Sequence, residues 1–448
     1  MSPRAIRGHL VDFADDPHVA GAAACRAVED GIVVVQDGRI VAAGEAAELL
    51  KTLPPGTGID DWRGKLVLPG LIDTHIHYPQ VRVIASYGAQ LLEWLERYTF
   101  PEETRFADPA HAAGEAAFFL DELLRNGTTT AVVYCTVHPG SAEALFREAQ
   151  RRRLRLIAGK VMMDRNAPPG LLDTAEQGYA DSEALIARWH GVDRLGYVVT
   201  PRFAGSSSEA QLEAAGTLLR EHPGCWLQTH LSESPGEIAA VLGSFPWARS
   251  YTEVYDRFGI LSGRSLFGHC IHLAEDERRR LSETGSVACF CPTSNLFLGS
   301  GLFDLAATRR SDRPVRVSLA TDVGGGTSYS MLATAGEGYK VLQLQGQSWP
   351  ALEAFYQLTL GNARALGLDG AIGRLAPGFE ADLVVLDPAA TPAMAHRLER
   401  AEGDLVDTLF LLVTMGDDRA VAATYVLGEP VHRRPPAAAR APTCGKVS

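Results

Sequence analysis

Residues Leu68–Gln80 read LPGLIDTHIHYPQ, an apolar run broken by Pro-Gly and ending in His75 and His77. On a strand, residues i and i+2 face the same side. Both imidazoles can therefore converge on one point. An HxH pair can also be two polar strand positions, so its meaning depends on what ends the other strands. Seven further short apolar runs follow at spacings that leave room for helices: TTTAVVYCT (128–136), LRLIAGKVMMD (154–164), LGYVVTP (195–201), CWLQTHLSE (225–233), SLFGHC (265–270), SVACFCPTSN (286–295) and VRVSLATD (315–322). With the segment 65–77, these alternating runs and helical stretches predict an α/β fold built on a (β/α)8 TIM barrel. One helical stretch, 111–127, closes on Asn126-Gly127, a C-terminal signal.

In such barrels the chemistry sits at the C-terminal ends of the strands. The first run ends in His75 and His77, the fifth in His230 followed by Glu233, the sixth in His269 and the eighth in Asp322. Taken singly, each has a plain structural explanation. A lone histidine at a strand end is more often a hydrogen-bonded structural residue, Asp322 can cap a following helix, and Glu233 can favour a helix N-terminus. Their coincidence on strands one, five, six and eight points to a divalent-metal site with an open position for water. A carboxylate beside such a water takes its proton, and Glu233 stands where a second acid can protonate a substrate. Cys289 and Cys291 read as strand core, and the seven cysteines contain no CxxC pair.

Both chain ends have a different texture. Residues 31–45, GIVVVQDGRIVAAGE, place Asp37-Gly38 between two apolar runs, a hairpin signal. ADLVVLD (381–387) and AVAATYVLGEPVH (420–432, turning at Gly428) look alike. We expect residues 1–66 and 376–432 to form a small β-sandwich, residues 67–375 the catalytic barrel, and residues 433–448 a flexible tail. A charge of −12 over 448 residues argues against a nucleic-acid surface. No run approaches a membrane span and no N-terminal leader is evident, so a cytoplasmic enzyme is expected.

These motifs resemble the metal-dependent amidohydrolase superfamily: PGLIDTHIH (69–77), THLSE (229–233), GHC (268–270), ATD (320–322) and GRLAPGFEADLVVLD (373–387). That resemblance covers nearly the whole chain, and within it the sequence is most similar to the guanine deaminases, in DTHIHYPQ (73–80), LLEWLERYTFPEETRF (91–106), NGTTTA (126–131), TPRF (200–203), HLSES (230–234), CPTSNLFLGSG (291–301) and TDVGGGTSYSML (321–332), all in family order. The resemblance implies one Zn2+ per chain on His75, His77, His230 and Asp322, with Asp322 and His269 deprotonating the attacking water. Glu233 would protonate purine N3. Arg202 would read O6, Gln80 another purine edge, and Phe203 would pack on the ring. It also implies a homodimer. No lysine ends the fourth run, where binuclear relatives carry one, which favours one metal. Without the resemblance, Arg202 would be assigned to a surface carboxylate, Gln80 to solvent and Phe203 to core; Trp94 is expected in the core rather than in the pocket wall. Two other readings stay open: a related aminohydrolase for 8-oxoguanine, another aminopurine or an s-triazine, and a barrel serving only as a scaffold. The scaffold gives no reason to keep polar groups buried and aimed at one point.

Overall fold

The structure is a computed structural model and describes residues 3–87 and 90–435. In chain order its strands are β1 (Arg4–Phe13), β2 (Cys25–Gln36), β3 (Arg39–Glu45), β4 (Gly58–Pro69), β5 (Leu71–His77), β6 (Thr128–Tyr134), β7 (Arg155–Gly159), the two-residue β8 (Val161–Met162), β9 (Leu195–Pro201), β10 (Trp226–Leu231), β11 (Ser265–His269), β12 (Val287–Phe290), β13 (Arg316–Leu319), β14 (Leu383–Leu386), β15 (Val421–Val426) and β16 (Glu429–Arg433). Each of the eight apolar runs contributes its strand. They pair in parallel in the order β13-β12-β11-β10-β9-β7-β6-β5, a nearly closed (β/α)8 barrel. β5, β6 and β9 to β12 are buried almost throughout, which is why they read as continuous apolar runs rather than as alternating ones. Ile72, Val132, Ile157, Val198, Trp226, Leu266, Val287 and Cys289 form one core cluster drawn from seven barrel strands, and Cys291 and Ala320 join it. The two cysteines are thus core, as expected from their setting.

The barrel's seam, between β5 and β13, is bridged largely by side chains. Asn362, fully buried, donates to the carbonyls of Ile72 (2.7 Å) and Leu319 (2.8 Å) and accepts from the Leu319 amide (2.9 Å). Thr74 reaches Ser318 Oγ at 2.8 Å, and the Thr321 amide donates to Asp73. Removing a buried group that serves three backbone partners leaves them unsatisfied at roughly 1–3 kcal/mol each before relaxation. Asn362→Ala is therefore expected to destabilise the barrel by about 3 kcal/mol, read as a fall of several degrees in Tm. An unchanged Tm would show that the seam holds without it.

The chain ends meet in a second, mixed sheet of seven strands, β16-β15-β14-β4-β1-β2-β3. β1 and β4 run parallel and the other pairs antiparallel. The turn at Asp37 (φ 49°) and Gly38 (φ 80°) joins β2 to β3, and Leu427-Gly428 joins β15 to β16 with the same signs. β4 continues to Pro69 within this sheet, so the chain passes from it almost directly into β5. The helix expected over 111–127 spans Pro109–Arg125, capped by Asp108 at its start and followed by Asn126 and left-handed Gly127. Of the expected tail, residues 436–448 lie outside the described residues. Among the described residues no helix is long and apolar enough to cross a membrane.

Candidate active site

The strand ends bring the candidate ligands together. Asp322, three residues beyond the end of β13, places Oδ1 3.4 Å from His75 Nε2 and 3.2 Å from His77 Nε2. Donor atoms of His75, His77 and Asp322 lie within 4.8 Å of one another, as do those of His75, His230 and His269. His75 belongs to both groups. Its ring centroid is 5.2 Å from that of His77 and 4.9 Å from that of His230. The backbone bends sharply where these side chains are presented: Ser232, His269, Cys270 and Asp322 all have positive φ, a costly state for non-glycine residues that clusters at functional sites. Gly268 explains part of the GHC motif, since a Cβ there would lie 2.5 Å from the His75 ring.

Hydrogen bonds fix which ring nitrogens face the centre. His230 Nδ1 lies 2.6 Å from the Arg202 carbonyl, which can only accept, so Nδ1 carries the proton and Nε2 is left with its lone pair. His269 Nδ1 is set in the same way by Asn295 Oδ1 at 2.8 Å. Both His75 nitrogens are buried without a hydrogen-bond partner. Burial holds His77 down at about 4, against the pull of Asp322, and holds His230 well below the usual histidine range. Burial pushes Asp322 upward, but the surrounding imidazoles of His75, His77 and His269 outweigh it and keep it an anion. Neutral imidazoles, an orphaned buried ring and one carboxylate aimed inward are the donor set of a divalent-metal site, and the residues present fit such an ion. Cys291 Sγ also approaches His269 and Asp322. Burial and the Asp322 charge hold that thiol protonated, so it is a poor ligand.

Glu233 is buried beside this group. Its Oε2 lies 3.3 Å from His269 Nε2 and its Oε1 accepts from Ser300 Oγ at 2.9 Å. Burial, reinforced by Asp322, raises it to about 8, so at neutral pH it carries a proton. It is not a helix cap: Ser234 and Glu237 form the capping box of helix Pro235–Ser244. Nor does Asp322 cap a helix, since Ser330 caps Met331–Leu344.

His77, Gln80, Trp94, Arg202, Phe203, Glu233, His269 and Asp322 all line one cavity of about 470 Å³ with Leu91, Leu95 and Leu298. Trp94 is buried in a core cluster, as expected, and it also forms part of the pocket wall, which was not expected. Arg202 and Gln80 are not surface residues: both are buried, and both are held by Glu103, which sequence reading passed over. Tyr134, likewise unforeseen, stacks on His77 at 4.3 Å. Its signal was its place at the end of β6; that of Glu103 was only its presence in PEETRF.

Comparison with known proteins agrees with this geometry. The amidohydrolase family profile matches residues 66–431, and the chain belongs to that family. It is 49% identical over 434 residues to guanine deaminase of Escherichia coli (strain K12), covering 96% of this chain and 98% of that protein. The solved E. coli guanine deaminase superposes with a TM-score of 0.93 at 47% identity, covering 97% of this chain and 100% of that one. Guanine deaminase from C. acetobutylicum, solved with guanine bound in its active site, gives 0.85 at 27% identity, covering 96% and 100%. Within the amidohydrolase family, the chain falls among the guanine deaminases.

Proposed function

We propose that this chain hydrolyses guanine to xanthine and ammonia, with one zinc ion per chain held by His75, His77, His230 and Asp322. The observation that carries the reading is the shared cavity: an anionic ligand group, a protonated carboxylic acid and two buried hydrogen-bonding side chains face the same space. When bound, the ion lowers the pKa of a coordinated water toward neutrality. A single ion is supported by the end of β9, which holds Pro201-Arg202. The buried Lys160, after β7, is instead paired with Asp173 at 2.6 Å.

In this reading Arg202 donates to O6, and Gln80 engages the adjoining ring edge. Phe203, Trp94 and Leu298 enclose the flat ring. Asp322 and His269 take the first proton of the attacking water as its oxygen bonds to C2. Glu233 gives its proton to N3, so the charge created by breaking aromaticity is neutralised as it forms. As the C2–N bond breaks, the first proton leaves with the amine as ammonia. The remaining C2–O–H proton returns to Glu233 when the carbonyl forms, which restores the site. Cytoplasmic purine catabolism and a homodimer belong to the same reading and rest on family likeness.

The test is ammonia release from zinc-loaded protein given guanine, 8-oxoguanine, adenine, cytosine and melamine. We expect guanine to give the highest kcat/KM, by about 10⁴-fold or more over adenine and melamine, which lack the carbonyl edge that Arg202 and Gln80 would read. Faster turnover of another compound would replace guanine as substrate. No turnover of any, with metal bound, would favour a scaffold.

A further inference from the structure

Glu103 sits on helix Phe100–Thr104, 1% exposed, and each of its carboxylate oxygens has one partner. Oε1 accepts from Gln80 Nε2 at 3.0 Å, and Oε2 accepts from Arg202 Nη1 at 2.6 Å in a buried ion pair. A carboxylate in an ion pair only accepts. It therefore dictates which way the Gln80 amide lies: the NH2 group must face Glu103, and Oε1 becomes the free end. Gly324 leaves room for that oxygen, since a Cβ there would sit 1.9 Å from Gln80 Oε1. Arg202 is turned likewise. One nitrogen is spent on Glu103, and no other hydrogen bond of the guanidinium exists among the described residues, so its remaining donors are free for a ligand in the cavity they border.

We propose that Glu103 is a specificity-determining positioning residue that fixes the hydrogen-bond polarity of the base-reading edge. Through it Gln80 presents an acceptor and Arg202 presents donors. That pattern complements a ring N–H beside a carbonyl, the N1–H/O6 edge of an oxopurine. It opposes the inverse edge, a bare ring nitrogen beside an amine or a hydrogen. The inference deepens the proposed function and rests on it.

The test compares wild type with Glu103→Gln, using kcat and KM for guanine and the competitive inhibition constant of 2-aminopurine, which lacks O6 and has an unprotonated N1. A glutamine can donate to Gln80 and lets its amide turn over. We expect guanine kcat/KM to fall at least 100-fold, mainly through KM, while the 2-aminopurine constant changes less than threefold or tightens; zinc content stays at the wild-type value. Equal losses for both ligands would show a merely structural role and overturn the proposal, as would unchanged guanine kinetics. In a Gln80→Ala background the Glu103→Gln loss should shrink at least tenfold, because the residue acts through Gln80; full additivity counts against it. Should Glu103→Gln not fold, Glu103→Asp keeps the charge but shortens the reach. It should cost guanine at least tenfold with 2-aminopurine unchanged, and no guanine loss would overturn the idea. A wild type that leaves guanine intact defeats the proposed function itself, a different outcome from a wild type that deaminates guanine with an indifferent Glu103 variant.

Discussion

Glu233→Gln is expected to lower kcat for guanine by about 10²–10⁴-fold, the range for loss of a positioned general acid, with KM nearly unchanged. The amide has the shape of the acid and keeps the Ser300 hydrogen bond as acceptor, but it has no proton to give. Addition to C2 would then leave N3 charged inside a buried pocket. Metal content should match wild type, because Glu233 adjoins His269 rather than the His75–His77–Asp322 group. Loss of metal would make Glu233 a ligand and the assignment of roles wrong. The pH profile gives a second check. Burial and Asp322 raise Glu233 from the ordinary carboxylate range to about 8, so its acid form is present below that pH and is lost above it. Wild-type kcat should fall as pH rises through about 8. The Gln variant should lack that limb. A wild-type profile flat to pH 9.5 would mean that no such acid limits the reaction.

The barrel and the metal group were legible in sequence for one physical reason. A parallel strand buried on both faces must be apolar along its length, and a polar residue that ends such a run stands out. His75, His77, His230, His269 and Asp322 each do so. The groups that serve them were hidden, because their partners are remote in sequence and their types are ordinary. Glu103 lies in PEETRF, which reads as the wet face of a helix, yet it meets Arg202 from 99 residues away. Asn295, which sets the His269 tautomer, sits in CPTSN after a strand core. Asn362 follows a glycine in an otherwise unremarkable helix and closes the barrel with Ile72, 290 residues earlier. Terminal hairpins were readable from their turns, because Asp-Gly and Leu-Gly need positive φ at fixed places. That the two ends join in one β unit was legible as well; the strand order within the seven-stranded sheet was not, since neither hairpin specifies its neighbour.

His77→Ala is expected to reduce bound metal from about one ion per chain to under a tenth, and guanine turnover by more than about 10³-fold, since a ligand set reduced below its full number holds zinc weakly. Elemental analysis of the purified variant reads the first effect without any assay. Stability supplies an independent readout. A metal that binds only the folded chain raises Tm in proportion to RT ln(1 + [M]/Kd), so chelating wild type should lower its Tm while His77→Ala should not respond to chelator. Without the metal, the folded chain keeps both His75 ring nitrogens buried with no hydrogen-bond partner. The decisive comparison is His269→Ala. His269 lies close enough to His75 and His230 to complete a ligand triad, but it also faces Glu233 Oε2 at 3.3 Å and Asp322 Oδ2 at 3.8 Å, where a proton-handling role places it. Full metal content with kcat down by about 10²-fold or more assigns it to the proton path. Metal loss equal to that of His77→Ala would instead put His269 in the ligand set and leave Asp322 alone to take the proton of the attacking water.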